Sequence, residues 1–278
     1  MDKRSASENL KNKSALVLGG IKGIGRQIAT DLLNQGCSVA LSYFDWTEEL
    51  ENLKQTLNET NGFYSLHNID LRDTDKIPSF IDDVIKKHKK IDILINNIER
   101  GGMPVVHGKY TSHQWDLEQE TTLRAKHFIF NSVFPHMKQL DEGCILNISS
   151  IAGITGRSGP AGLIFNDGYA AANRGISSFT ETWAKMGAPN IRVNELMLGF
   201  IETRHGPGTR GWNLLTSAQQ QSITDHTLCK RTGKISDVIK AVNFFIKDAP
   251  FATGSVLRID GGYVLGSDPV PDLPEGVE

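Results

Sequence analysis

The chain has 278 residues, of which 39% are hydrophobic and 22% are charged, and its formal net charge at pH 7 is -2. These values are ordinary for a globular protein, and the near-neutral charge argues against nucleic acid or an anionic membrane as a partner. A chain of this length can bury one large α/β core, so we expect a single domain.

The cysteines and the start of the chain indicate the compartment. Cys37, Cys144 and Cys229 lie far apart, which does not suggest a disulfide framework and fits a reducing cytoplasm. Residues 1–13 are polar and lack the apolar region of a signal peptide, and no run of about 18 apolar residues occurs that would span a bilayer. We therefore predict a cytoplasmic protein with a polar N-terminal extension over residues 1–13.

Seven short apolar runs, each next to a longer amphipathic stretch, predict the architecture. Alternation of this kind is typical of a parallel sheet, and the near-continuous hydrophobicity of the runs indicates helices on both faces. We predict an α/β fold with a Rossmann-type, doubly wound, seven-stranded parallel sheet in one domain over residues 14–264. The predicted strands are Ala15-Leu18, Ser38-Tyr43, Phe63-Ile69, Ile91-Ile95, Cys144-Ile148, Ile191-Leu196 and Ser255-Ile259.

Two stretches interrupt this pattern and are candidate mobile elements near a site: residues 157–167, which are rich in glycine and polar residues, and residues 204–230. Residues 204–230 contain Gly206-Pro207-Gly208 followed by a polar segment typical of a helix, and we predict that they form a lid near the site. The tail, residues 265–278, is rich in proline and acidic residues. We expect the tail to be irregular or to pack on a neighbouring subunit.

A glycine-rich turn follows the first predicted strand. It reads Gly19-Gly20-Ile21-Lys22-Gly23-Ile24-Gly25 and leads into a segment with an apolar stripe at helical spacing. Glycines at such a turn let the backbone approach a pyrophosphate, and the start of a helix supplies N–H groups and a partial positive charge. The strand–turn–helix context therefore predicts a dinucleotide site that includes Gly19, Gly23, Ile24 and Gly25.

Several motifs in this order resemble those of the short-chain dehydrogenase/reductase family. Gly19, Gly23 and Gly25 match its TGxxxGxG motif, with Leu18 in place of the threonine. The resemblance runs from about Lys13 to Gly262 and continues through Asp70-Leu71, Asn96-Asn97, Asn147-Ile148-Ser149-Ser150, Gly199-Phe200-Ile201-Glu202-Thr203 and Asp260-Gly261-Gly262.

The resemblance implies roles for these residues. Asp70 and Leu71 would hold the adenine, and Asn96 would line the adenosine side. Ile201 and Thr203 would meet the carboxamide of the nicotinamide and the phosphate. The family's NNAG motif reads Asn96-Asn97-Ile98-Glu99 here, which puts bulk and a negative charge where the cofactor ribose needs a small surface. A homodimer or homotetramer is also implied by the family.

The choice between NADP and NAD depends on the end of the second strand. An acidic residue there would accept from the ribose 2′-OH, but Tyr43 occupies the position. Lys22 could pair with a 2′-phosphate, as in family members that use NADP, or it could be a solvated loop lysine. We expect NADP; NAD stays possible because Asp45 would accept from the 2′-OH if the strand ended differently.

The catalytic group is only partly present. Ser150 and Tyr169 match the family's serine, which orients a carbonyl oxygen, and its tyrosine, which is the acid. The family lysine aligns with Asn173, in the segment Tyr169-Ala-Ala-Ala-Asn173, and the family asparagine aligns with Thr122.

Ketoreductase domains of modular polyketide synthases also read YAAAN and take their lysine from an earlier helix. Lys126 lies in that helix here, and Asn173 would then hold the nicotinamide ribose. The alternative is that Lys126 is an ordinary lysine on a helix that often packs against a second subunit.

These features predict an NADP(H)-dependent oxidoreductase that interconverts a small-molecule carbonyl and an alcohol by hydride transfer. The alternative is a catalytically impaired protein of the same fold that binds the dinucleotide. The eight histidines show no metal-ligand spacing, so we expect no metal site. We expect no nucleic-acid or membrane partner.

Overall fold

The structure is a computed structural model that describes residues 10–99, 110–203, 212–268 and 270–273. Residues 1–9 of the predicted extension therefore lie outside the described residues. The same holds for residues 204–211 of the predicted lid and for residues 269 and 274–278 of the tail.

The described residues form one parallel sheet with the strand order β3-β2-β1-β4-β5-β6-β7, which confirms the predicted fold class. The order reverses between β1 and β4, so a crevice opens there at the carboxyl ends of the strands. The strands are Ser14–Val17 (β1), Ser38–Tyr43 (β2), Tyr64–Asn68 (β3), Ile93–Asn96 (β4), Gly143–Ser150 (β5), Ile191–Leu198 (β6) and Val256–Ile259 (β7).

Helices cover both faces of the sheet, and each face has its own apolar core. The helices are Gly23–Asn34 (α1), Leu50–Asn58 (α2), Ile77–His88 (α3), Ser112–Glu118 (α4), Ala125–Leu140 (α5), Ala152–Thr155 (α6), Asp167–Gly187 (α7), Ser217–His226 (α8) and Ile235–Asn243 (α9). Helices α1, α2 and α9 pack on one face through Ile28, Leu53 and Val242. Helices α3, α5 and α7 pack on the other through Val84, Phe130 and Trp183. In the described part of the chain, every helix is too short or too polar to cross a membrane.

A π-helical turn, Gln119–Arg124, joins α4 to α5 without a break in the helix. The wider turn changes which residues of α5 face the sheet, and such turns often occur at functional sites. Thr122 within it and Lys126 just after it are both fully buried. The π turn thus directs a lysine into the interior of the protein.

Two buried histidines lie between β3 and α3. The Ser65 hydroxyl is 2.7 Å from Nε2 of His67 and 2.7 Å from Nε2 of His88. Burial, together with the neighbouring charges of His67 and Lys87, lowers the pKa of His88 to about 4. Burial also lowers the pKa of His67. The folded protein therefore holds both imidazoles neutral at pH values where the unfolded chain protonates them.

We expect the free energy of unfolding to fall as the pH falls from about 6.5 to about 4, because only the unfolded chain binds a proton at residue 88 in this window. The His88 shift from 6.5 to about 4 corresponds to a loss of about 3 kcal/mol over the whole window, of which about 2 kcal/mol is lost between pH 7.5 and pH 5. Urea unfolding at pH 5 and at pH 7.5 measures this loss in the free energy of unfolding. The difference in the free energy of unfolding between the two pH values should shrink in His88→Gln. It should persist in His113→Gln, which changes an exposed histidine.

Candidate active site

A cleft at the carboxyl ends of the strands runs from the glycine turn after β1 to the start of α7. It brings together residues from distant parts of the sequence that the motifs predicted. These are Gly19, Lys22, Gly23, Ile24, Tyr43, Asp70, Leu71, Ser150, Tyr169, Ile201 and Thr203. Among the predicted site residues, Gly25, Asn96, Lys126 and Asn173 do not line it.

The glycine turn is built for a close approach of backbone to ligand. Gly19 and Gly23 have φ values of +67° and +58°, which favour glycine. A methyl group on Gly25 would collide with the carbonyl oxygen of Gly19. A methyl on Gly23 would meet only the Thr203 side chain, at 4.0 Å, so the space in front of it belongs to the cleft.

Helix α1 begins at this turn with its N–H groups directed to the cleft side. Its N-cap residue, Lys22, gives no side-chain cap, and the first turn has no acidic residue. An uncapped helix start without acidic residues in its own first turn carries a partial positive charge. The turn and α1 together therefore suit a pyrophosphate.

Two cations flank the end of β2, which ends at Tyr43 as the sequence predicts. The Nζ of Lys22 lies 2.8 Å from the centroid of the Trp46 ring. The guanidinium of Arg72 lies 5.6 Å from the Phe44 ring and donates to both oxygens of Asp70, with Nη2 2.6 Å from Oδ2. The hydrogen bonds with Arg72 lower the pKa of Asp70. The sequence reasoning did not include Arg72, although it directly follows the Asp70-Leu71 motif.

The side chain of Asn96 does not line the adenosine side, contrary to the expectation. Asn96 ends β4 and is fully buried, and its amide donates to Oδ1 of Asn147 on the neighbouring strand β5 at 2.8 Å. Successive side chains of a strand point to opposite faces, so the next residue takes the other direction. Asn97 lines the cleft and donates to the carbonyl oxygen of Gly19 at 3.2 Å.

Ser150 and Tyr169 lie together at the far end of the cleft. Ser150 ends β5, and its hydroxyl accepts from the backbone N–H of Ala152 and lies within hydrogen-bond reach of the Tyr169 hydroxyl. Tyr169 is in the first turn of α7, which Asn166 caps by accepting from the Tyr169 N–H at 2.7 Å. The cap holds the phenol at a fixed place over the sheet edge.

The Tyr169 hydroxyl donates to a carboxylate. Its Oη lies 2.7 Å from Oε2 of Glu99, the residue at the family's NNAG glycine. Burial is the largest cause that raises the pKa of Tyr169 well above its usual value, and the negative charge of Glu99 raises it further. The hydrogen bond with Ser150 acts in the opposite direction. At neutral pH the phenol is therefore protonated.

Asn173 is fully buried one turn further along α7 and does not reach the cleft. Its Nδ2 donates to the carbonyl oxygen of Tyr169 at 3.0 Å, while its Oδ1 has no hydrogen-bond partner among the described residues. The short amide turns back to its own helix, which a longer lysine at this position would not do. The predicted contact of Asn173 with the nicotinamide ribose is therefore not supported by its position.

Lys126 lies inside the fold and not on the outer surface of its helix. Its side chain is 1% exposed, and Nζ donates to the carbonyl oxygen of Ile148, a residue that lines the cleft, at 2.9 Å. Burial lowers the pKa of Lys126 to about 8, and the charges of Glu99 and Glu195 oppose this shift. The ammonium thus lies below the cleft, within electrostatic range of the carboxylate that binds Tyr169.

Glu195 is a buried residue that the sequence reasoning missed. It lies in β6, where Oε1 accepts from the hydroxyls of Ser149 and Ser177, and Oε2 has no hydrogen-bond partner among the described residues. Burial raises the pKa of its carboxyl group, and the charge of Lys126 lowers it. The feature of the sequence that could have indicated Glu195 is the presence of an acidic residue inside the strand Ile191–Leu198.

The described residues contain no group of three or more His, Cys, Asp or Glu side chains that could hold a metal ion.

The chain is similar to known proteins over nearly its whole length. The family model described as enoyl-(acyl carrier protein) reductase matches residues 19–264. The 3-oxoacyl-[acyl-carrier-protein] reductase FabG of Thermotoga maritima is 30% identical over 260 residues, which are 92% of this chain and 99% of that protein. The protein of the same name from Chlamydia trachomatis serovar D is 30% identical over 262 residues, 91% of this chain and 98% of that protein.

Solved structures have the same fold. A protein from Sinorhizobium meliloti 1021, described as a candidate short-chain alcohol dehydrogenase, has a TM-score of 0.80 at 26% identity and covers 93% of this chain and 98% of its own. Levodione reductase has a TM-score of 0.81 at 24% identity, covering 92% of this chain and 98% of its own, and bears on the fold alone. With the family match and the relatives, these findings show that the chain belongs to the short-chain dehydrogenase/reductase family, whose members are oxidoreductases that use a nicotinamide dinucleotide.

Proposed function

We propose that the protein is an NADP(H)-dependent reductase that converts a carbonyl to an alcohol. One observation carries the proposal: a single cleft holds the glycine turn of a dinucleotide site at one end and the Ser150–Tyr169 pair at the other. A fold hosts many functions, so the argument rests on this pairing of groups and not on the fold.

The residues of the cleft fit a dinucleotide. The open space in front of Gly23 and the uncapped start of α1 suit the pyrophosphate, and Ile201 and Thr203 line the cleft between this turn and Tyr169. When bound, the dihydronicotinamide supplies a hydride. Lys22 near the end of β2, together with Tyr43 in the place of an acidic residue, supports a 2′-phosphate and hence NADP.

Ser150 and Tyr169 handle the oxygen of the substrate. Both hydroxyls can donate to a carbonyl oxygen placed between them, which holds the carbonyl and polarises it. As the carbonyl carbon is reduced, its oxygen becomes a strong base and takes the proton of the Tyr169 phenol. Lys126 acts from below the cleft, because its ammonium favours the anionic form of the groups above it.

The first substrate class to test is a 3-oxoacyl thioester, because the relatives that match over more than nine-tenths of this chain carry the name of a 3-oxoacyl reductase. A second candidate function is a dinucleotide-binding protein without turnover. The Glu99–Tyr169 contact and the replacement of the family lysine by Asn173 favour it, since both change the surroundings of the phenol.

We further propose a cytoplasmic homodimer or homotetramer. The exposed aromatic side chains of Trp115 and Phe128 on the α4–α5 segment support a subunit contact there.

Purified protein should bind NADPH more tightly than NADH and oxidise NADPH when a 3-oxoacyl thioester or a ketone is added. Fluorescence titration measures the binding, and absorbance at the reduced nicotinamide band measures the turnover. Binding without turnover across thioesters, ketones and aldehydes would support the second candidate function. A protein that binds neither dinucleotide would contradict both.

Lys22→Ala should weaken the binding of NADPH by about 10- to 100-fold, because a charged hydrogen bond contributes about 1.5 to 3 kcal/mol. The affinity for NADH should not change, since NADH lacks the 2′-phosphate. Lys54→Ala is the matched control, since Lys54 is an exposed lysine that pairs with Glu51 on α2. Equal loss for both dinucleotides would assign Lys22 to the pyrophosphate instead.

Lys126→Met should lower kcat by about tenfold for each pKa unit by which the site loses stabilisation of its anionic form, with a smaller effect on KM. Methionine keeps the volume of the side chain but leaves the buried Glu195 without its cation, so we expect a folded variant of lower stability. Circular dichroism and kinetics check this, with Lys138→Met on the exposed side of α5 as the control. An unchanged kcat would remove Lys126 from the mechanism.

A further inference from the structure

The contact between Tyr169 and Glu99 gives the phenol an unusual partner. Oη of Tyr169 lies 2.7 Å from Oε2 of Glu99, and both side chains line the cleft. Glu99 is half-buried, whereas Tyr169 is 9% exposed, so Glu99 is the more solvent-accessible member of the pair. A carboxyl group in this place can exchange protons with water on one side and with a phenol on the other.

We propose that Glu99 is a catalytic residue that carries protons between solvent and Tyr169. This role rests on the proposed reductase function and deepens it. When the Glu99 carboxylate takes a proton from water in the cleft, the carboxyl group can in turn donate to the Tyr169 oxygen, and the phenol proton can then be donated to the substrate.

The proton path balances. Hydride from the dihydronicotinamide forms a C–H bond at the carbonyl carbon, and the π electrons of the C=O bond move to its oxygen. That oxygen takes the proton of Tyr169 Oη, and Oη takes the proton of the Glu99 carboxyl. Water in the cleft then returns a proton to Glu99. The carbonyl is reduced by two electrons and the dihydronicotinamide is oxidised by two.

The groups around the pair determine its charge balance. Glu99 follows β4, Ser150 ends β5, and Glu118 on α4 adds a negative charge that acts on Tyr169. Lys126 on α5 is a cation whose charge interacts with that of Glu99. With the ammonium bound to the carbonyl oxygen of Ile148 below the cleft, Glu99 is the charged group that directly contacts the phenol.

The other candidate carrier is poorly placed. Asn173 occupies the position of the family lysine, but an amide does not titrate and its Nδ2 is bound to the carbonyl oxygen of Tyr169. A phenol with no titrating neighbour would have to regain its proton directly from water, and Tyr169 is almost fully buried. The titrating carboxyl group of Glu99 gives the buried phenol a direct source for this proton.

The contact itself can be tested in the free protein, without dinucleotide or turnover. Tyrosine labelled at ¹³Cζ gives one resonance for each of the five tyrosines, and Tyr169→Phe identifies that of Tyr169. Glu99→Gln should shift this resonance at pH 7 and should lower the pH at which it titrates, because the negative charge that opposes the phenolate is gone. Glu118→Gln, which removes a charge without the contact, should shift it less. A resonance that does not respond to Glu99→Gln overturns the proposal.

Kinetic measurements then distinguish whether Glu99 transfers a proton to Tyr169 or only obstructs the cleft. If Glu99 carries the proton, Glu99→Gln and Glu99→Gly should lower kcat by about 10²- to 10⁴-fold while the affinity for NADPH stays within a few fold. Formate should restore part of the activity of Glu99→Gly, because it can enter the space left by the side chain. If Glu99 only obstructs the cleft, Glu99→Gly, which restores the family's glycine, should be as active as the native protein or more active. That result overturns the proposal.

The two proposals fail in different ways. A native protein without turnover on any carbonyl overturns the reductase function and the proton carrier together. A native protein that is active, with a Glu99→Gly variant that is equally active or that formate does not rescue, overturns the proton carrier alone.

Discussion

A buried ammonium among carboxylates is the constraint on which the site depends. Lys126 is 1% exposed, and a cation removed from water is tolerated only where hydrogen bonds and opposite charges replace the lost hydration. The carbonyl oxygen of Ile148 provides the hydrogen bond, and Glu99 and Glu195 provide the charges. The two carboxylates lie in different places: Glu195 is inside the sheet, on β6, and Glu99 is in the cleft. The three side chains therefore form one electrostatic unit, in which the ammonium lowers the cost of burying each carboxylate and the carboxylates lower the cost of burying the ammonium.

The fold could be predicted because its signals are local. The second strand, Ser38–Tyr43, begins and ends as predicted, since an apolar run between polar turns leaves little freedom in its ends. The fourth strand begins at Ile93 and not at Ile91, because Asp92 accepts from the N–H of Ser14 and occupies the approach to the sheet. The glycine turn could also be predicted, because a backbone with positive φ and close packing favours glycine, which is visible in the sequence.

The chemistry of the site was only partly readable, because it depends on contacts between distant segments. Tyr169 and Glu99 are 70 positions apart, and Ser149 and Glu195 are 46 apart. No motif encodes such pairs, so the sequence indicates Glu99 only as an obstacle to the cofactor and does not indicate a role for Glu195. Motifs also do not give the direction of a side chain. Asn96 was assigned to the cleft, yet the pleat turns it into the sheet and presents Asn97 instead.

The substitutions at Asn173 and Glu99 are easier to understand as one change than as two. Position 173 is buried, so a lysine there would add a second cation to an interior that already holds Lys126, and two like charges raise the cost of burial. Asn173 adds no charge there, and in the part of the chain that the structure describes the phenol contacts Glu99 and not an ammonium. A carboxyl group on the cleft side is then the available titrating partner, and the ammonium below it offsets the charge that a carboxylate would otherwise impose on the phenol. On this view the acid of the site is a phenol and a carboxyl group together, with the lysine acting on the carboxyl group from below.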